Sequence, residues 1–105
     1  MSTPFFYIYE TVTFPIHILD ADALQDVDKI VVSLKQKTVQ LDKFDPDYNE
    51  ETNMINLYLT QEDTAMFKQG LVDLQINIYY NDHERDTTKK TQLQALDNLY
   101  KKVIT

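Results

Sequence analysis

Apolar and polar residues alternate with a period of two along most of this chain, the spacing that turns one side of a strand toward a core and the other toward water. Val12, Phe14, Ile16 and Ile18 alternate with polar or neutral neighbours, following an aromatic run from Phe5 to Tyr9. Over 29–36 the pattern returns, with Ile30, Val32 and Leu34 on one face and Val31, Ser33 and Lys35 on the other. A turn near Gln36-Lys37 leads into 38–43, where Val39 and Leu41 form the apolar face of a hairpin partner. Ile55, Leu57 and Leu59 mark a strand over 53–60. The longest alternation covers 71–80: Val72, Leu74, Ile76, Ile78 and Tyr80 face one way, and Asp73, Gln75, Asn77 and Tyr79 the other.

The segments between these runs carry turn chemistry. Pro15 cannot donate a ladder hydrogen bond, so its strand belongs at an edge or a bulge. Residues 20–28 read as an acidic connection with at most one helical turn, and 44–52 as a loop holding Pro46 and Asn49. Thr60-Gln61-Glu62-Asp63 has the form of a helix N-cap followed by acids, where the helix dipole favours them. One or two turns then run through Phe67, and Gly70 is expected at a positive φ that ends them. Asn81–Glu84 reads as a turn, and the Thr- and Lys-rich stretch 86–92 as a polar edge strand. At the C-terminus Leu93, Leu96, Leu99 or Tyr100, and Val103 fall at helical spacing, which predicts a short amphipathic helix over 93–103. Six or seven short strands with turns at about ten-residue intervals predict an all-β antiparallel sandwich with that short C-terminal helix beside it.

With 105 residues the chain fits one domain, 1–105. A chain of this size buries roughly 65% of its unfolded surface, enough for one core without staples. Seventeen acids against 10 bases give a net charge of −7, which repels nucleic-acid phosphates and anionic membranes alike. No apolar stretch approaches the roughly 18 residues of a membrane helix. The N-terminus lacks a basic region and its apolar run is broken by Glu10, so it does not read as a signal peptide.

Composition also narrows the chemistry. With no cysteine there is no disulfide, thiolate metal site or cysteine nucleophile. A single glycine, Gly70, excludes phosphate-cradling loops and nucleophile elbows, which need several at fixed spacing. Asp45-Pro46-Asp47-Tyr48-Asn49 opens like a calcium loop, with oxygens at the first, third and fifth positions. Glu50 then stands where the sharp turn needs glycine, and Asn56 where a bidentate glutamate is needed, so the segment reads as a solvated acidic loop. His17 and His83 lie too far apart in sequence to suggest a zinc ligand set. No cofactor, metal or catalytic residue is indicated.

Seven tyrosines are the more suggestive feature. Tyr7, Tyr9, Tyr58 and Tyr79 fall on the polar registers of strands, where tyrosine suits either a protein interface or a half-buried sheet. Together with Leu96, Leu99, Tyr100 and Val103 of the C-terminal segment they form the candidate interaction surface. Because a sandwich already closes its core with two sheets, the expected helix is assigned to assembly.

Leu59-Thr60-Gln61-Glu62-Asp63-Thr64, then Phe67, Gly70 and Val72-Asp73-Leu74-Gln75-Ile76-Asn77-Ile78, resembles small structural proteins encoded near tail and baseplate genes of phages and prophages of Gram-positive bacteria. The N-terminal domain of baseplate upper proteins is similar in style. The match covers about 55–80, and 29–36 fits an earlier strand of that family more loosely. The resemblance implies an immunoglobulin-like sandwich without enzymatic activity. It also implies a chain that is cytoplasmic before assembly and then part of a virion, with other virion or assembly proteins, or a homo-oligomer, as partners. A small β-sandwich binding carbohydrate or a host protein is the alternative. Clustered tyrosines would favour that alternative, and an interface built from strand edges the first reading.

The missing ligand positions make a direct expectation. A site filled in the native state at a hundredfold excess over its dissociation constant stabilises by about 2.7 kcal/mol. Differential scanning fluorimetry should therefore give one melting temperature with chelator and with millimolar calcium; a rise of several degrees with calcium would assign Asp45–Glu51 to the ion.

Overall fold

The structure, a computed structural model, describes residues 3–18, 27–49, 51–88 and 90–105. In chain order its elements are β1 (Phe5–Tyr7), β2 (Val12–His17), β3 (Val27–Gln36), β4 (Val39–Phe44), β5 (Asp47–Asn49), β6 (Met54–Leu59), α1 (Gln61–Thr64), β7 (Gly70–Tyr80), β8 (Arg85–Thr87) and β9 (Thr91–Leu96). The fold is all-β. One sheet has the order β1-β9-β7-β3-β4 with β8 also against β7, and the other the order β2-β6-β5. The acidic connection expected over 20–28 falls mostly outside the described residues; Val27 and Asp28 belong to β3.

The two strongest alternating runs pair with each other. Antiparallel β3 and β7 set Ile30 opposite Ile78, Val32 opposite Ile76 and Leu34 opposite Leu74, with one bulge between Val27 and Lys29. These six side chains are buried, as are Ile55, Leu57 and Leu59 from β6, so both sheets close on one core. Phe6 of β1 enters that core edge-on to Phe14 of β2 and to Phe67, at ring centroid distances of 6.3 and 6.1 Å. The aromatic contacts tie the edge of the larger sheet to the smaller one and to the turn after α1.

Edges are managed individually. Pro15 lies on β2, an edge strand as expected. At the other sheet's edge, β4 turns Lys43 inward, a charge that discourages further pairing. Its Nζ lies 2.7 Å from Asp63 Oδ2 of α1. On β1, Pro4 and Ile8 bond β9, which turns the N–H and C=O of the intervening Tyr7 outward. Glu10 occupies both: its carboxylate accepts from the Tyr7 N–H at 2.9 Å, and its own N–H donates to the Tyr7 carbonyl at 3.1 Å.

α1 is a single turn held by reciprocal capping. The Thr60 hydroxyl accepts from the Asp63 N–H, and the Asp63 carboxylate accepts from the Thr60 N–H. Gly70 has the expected positive φ, at 141°, but it opens β7; the helix ends at Ala65. Thr64 is fully buried, its hydroxyl donating to the Glu10 carbonyl.

Three expectations are corrected. The C-terminal helix over 93–103 is absent: Thr91–Leu96 is strand β9, and 97–105 is not helical. Leucines spaced by three suit a helix, but Leu93 and Ala95 are spaced by two, and both are buried opposite Val72 and Gly70. The strand satisfies the open backbone of β7 and of β1 together, which a helix would leave unpaired. The 44–52 segment is not all loop, because Asp47–Asn49 pairs with β6 as β5, anchored by Tyr48 packing on the core. Finally, the polar strand expected over 86–92 divides into the fully exposed edge strand β8 and the start of β9.

Two predictions arise here. Truncation after Gln92 removes two core side chains and the partner of β1, so the product should show no cooperative unfolding by circular dichroism. Truncation after Asn98 should keep it. The second concerns Asp63. Burial alone would raise its carboxyl pKa, but the Lys43 ammonium and the Thr60 N–H and hydroxyl outweigh it and hold it below the usual aspartate value. A lowered folded-state pKa gives stability that is present above the unfolded value and lost as pH falls through the folded one. Urea titrations should show Asp63→Asn about 1 kcal/mol less stable at neutral pH, and the gap should close as pH falls below the usual aspartate range.

Candidate functional site

Outward residues of β3, β4 and β7 share the exposed face of the six-stranded sheet, and strand register arranges them in rows. Lys35 stands between Gln40 and Asp73, Ser33 between Asp42 and Gln75, and Val31 between Phe44 and Asn77. Tyr79 follows between Lys29 and Arg85 of β8. An open groove of about 490 Å³ runs over these rows, with Lys90 also on its wall.

Polar groups in the groove are fixed by one another. The Ser33 hydroxyl donates to Asp42 Oδ1 at 2.6 Å, and Gln40 Nε2 donates to the same oxygen at 3.1 Å. These bonds, Ser33 first, hold the Asp42 carboxyl below its usual value against a small opposing effect of burial. Asn77 Oδ1 accepts from Arg85 Nε at 3.0 Å, Arg85 Nη2 at 2.9 Å and Thr87 Oγ1 at 2.6 Å. The guanidinium carbon of Arg85 lies 5.2 Å from the Tyr79 ring centre, a cation–π contact that presents ring and charge as one unit. Gln75 Nε2 donates to the Thr88 carbonyl at 3.0 Å.

Ser33 has a carboxylate beside it, but a carboxylate held below its ordinary pKa is a weak general base near neutral pH. Among the described residues no three His, Cys, Asp or Glu side chains gather as a metal site, and no helix is long and apolar enough to cross a membrane. In the segment compared with a calcium loop, oxygens are committed to backbone. Asp45 Oδ1 accepts from the Ile30 N–H, and Asn49 Oδ1 from the N–H groups of Glu51 and Thr52. His17 and His83 are exposed. On the core side of β7, burial first, then the hydrogen bond to Asp86, pushes the Tyr80 hydroxyl up to about 12.

The residues singled out from sequence disperse over the molecule. Tyr79 lines the groove. Tyr7 is on the same face beyond β9, against Phe5 and opposite Leu96 in register, roughly 30 Å from Tyr79 at strand spacing. Tyr58 projects from the outer face of the three-stranded sheet, and Tyr9 sits in the β1–β2 turn at φ 73°, half-buried against the core. Leu96 is half-buried. Leu99 and Tyr100 are exposed and Val103 is half-buried. Instead of forming a helix, this tail is held by Asn98 Nδ2 donating to the Ile8 carbonyl, and by a two-point contact between the Gln61 amide and the backbone of Ile104 at 2.9 and 2.8 Å. Phe44, Gln40, Asp42, Arg85 and Lys90 of the groove were not singled out. Their only sequence signal is membership of the polar register, and they converge because β4, β3, β7 and β8 are neighbours in the sheet.

Comparison with protein-family models, with curated proteins and with solved structures finds no match to this chain.

Proposed function

We propose that the protein is an immunoglobulin-like module serving as a non-enzymatic structural or assembly protein of a phage or prophage particle, through contacts made by the outer face of its six-stranded sheet. The strand order supports the immunoglobulin-like arrangement. β9-β7-β3-β4 against β2-β6-β5 corresponds to G-F-C-C′ against B-E-D. The inter-sheet disulfide and buried tryptophan of antibody domains have no counterpart, since the chain has neither residue type. Aliphatic rows such as Val32–Ile76 and Leu34–Leu74 fill the space instead.

The residues behind the phage resemblance form one continuous unit: the end of β6, the capped turn α1, the buried Phe67 and β7. Its central Gln75 points into the groove. The observation that carries the reading is the groove itself, open and polar, with Phe44 and Tyr79 on its walls. Aromatics and arginine at the centre of a polar surface are the usual anchors of protein contacts. The alternative, carbohydrate binding, would be favoured by clustering of Tyr7, Tyr9, Tyr58 and Tyr79, and these four are dispersed. In this reading the chain is cytoplasmic before assembly and virion-bound afterwards.

Co-expression with the products of the flanking genes, followed by purification of the complex, tests the proposal. Phe44→Ser and Tyr79→Ser should each weaken the complex at least about thirtyfold, the loss expected of an interface anchor, while Tyr58→Ser on the opposite face should not. Binding to an arrayed glycan that these same changes abolish, with no protein complex, would replace assembly by carbohydrate recognition.

A further inference from the structure

β1 is held by contacts that a second copy of the chain could supply equally well. It pairs in parallel with β9, where the Pro4 carbonyl accepts from the Gln94 N–H and the Ile8 N–H donates to the Leu96 carbonyl, each at 2.9 Å. Phe6 is fully buried against Phe14 and Phe67, Ile8 is buried as well, and Asn98 Nδ2 donates to the Ile8 carbonyl. Every one of these partners lies beyond the link that joins β1 to β2. That link, residues 8–11, is short and strained. The Glu10 N–H donates to the Tyr7 carbonyl and closes a β-turn whose third residue, Tyr9, has a φ of 73°. Such a turn asks for glycine at that position, and a bulky side chain there is an outlier that its surroundings must hold. Here the ring is half-buried against the core. Elsewhere positive φ has a local reason. Asp45, Asn53 and His83 are residue types that tolerate it, and Lys37 lies in a two-residue hairpin turn that demands it.

We propose that two copies of the chain exchange β1, each laying residues 4–8 on the β9 edge of the other. Short hinge loops under strain invite such an exchange. Once the link opens, Tyr9 is free to take extended backbone, while each contact of β1 is remade with the second copy. Phe6 of one copy then sits between Phe14 and Phe67 of the other. What is given up is the exposed pair of hydrogen bonds between Glu10 and Tyr7. Each copy both gives and receives a strand, so the contact is isologous and closes at two. The exchange involves neither the groove nor its role as a contact surface.

The chain has no cysteine, so introduced thiols report the exchange without interference. Phe5 and Gln94 are partners in register, and both side chains are exposed. Parallel neighbours at about 4.8 Å are within reach of a disulfide. Phe5→Cys and Gln94→Cys chains are unfolded together in equal amounts, refolded at high concentration and oxidised, with circular dichroism confirming that each is folded. Peptide mass spectrometry should then find the link between positions 5 and 94 at least about tenfold above the 5–5 and 94–94 links, since exchange alone sets the unlike pair side by side. Tyr9→Gly in both chains should lower that link about tenfold, the factor matching one residue's cost in left-handed backbone. The parent refolded in the same way should elute partly as a dimer in size-exclusion chromatography. A parent that elutes only as monomer overturns the proposal. So does an unlike link no more frequent than the like ones, or one that Tyr9→Gly leaves unchanged.

Discussion

The antiparallel pairing of β3 with β7 is the contact on which the other elements depend. Its inner side supplies three facing aliphatic pairs to the core, and its outer side supplies the floor of the groove. β4 is positioned by β3, while β8 and β9 are positioned by β7, and β1 reaches the sheet only through β9. A shift of one residue between β3 and β7 would exchange Ile76 and Ile78 for Gln75 and Asn77 at the core, because side chains alternate with a period of two. The bulge between Val27 and Lys29 lies outside the aliphatic rows and leaves their register unchanged.

Around this pairing, polar side chains do much of the joining between segments. The Gln36 amide bonds both the N–H and the carbonyl of Lys68, at 2.8 and 2.7 Å, and the Gln61 amide does the same for Ile104. Each side chain acts as one extra peptide group where no strand is available. Lys43 and Asp63 join β4 to α1 by charge instead. The amide contacts are neutral and insensitive to pH, whereas the ion pair weakens once the carboxylate is protonated.

Where one face of a strand is buried, the sequence was a good guide. The inward residues of β3, β6 and β7 follow directly from their alternation, as do the edge position of Pro15 and the Thr60 cap. The C-terminus was misread because Leu93, Leu96 and Leu99 satisfy a helical period, while the short Ala95 gave little sign of the two-residue one that prevails. Tyr48 is similarly isolated in sequence, and the strand around it shows only in its pairing with β6 and its packing on the core. The groove was the least legible feature. Ser33 and Asp42 are nine residues apart, and Asn77 and Arg85 eight, but the order of strands that unites the two pairs is not written in either interval.

The small contact between Glu10 and Tyr7 bears on how the larger sheet is kept finite. A strand edge with free amides is a template for another chain, and β1, with Phe5, Phe6 and Tyr7, has no charge of its own to deter one. By folding back on its own last rung, the chain fills that position with a carboxylate and an amide from the adjoining turn. An incoming strand would meet an occupied backbone and a negative charge at the place where its hydrogen bonds should begin. Glu10 thus closes the last outward rung of β1 to an added strand with a residue of the ordinary turn that follows it.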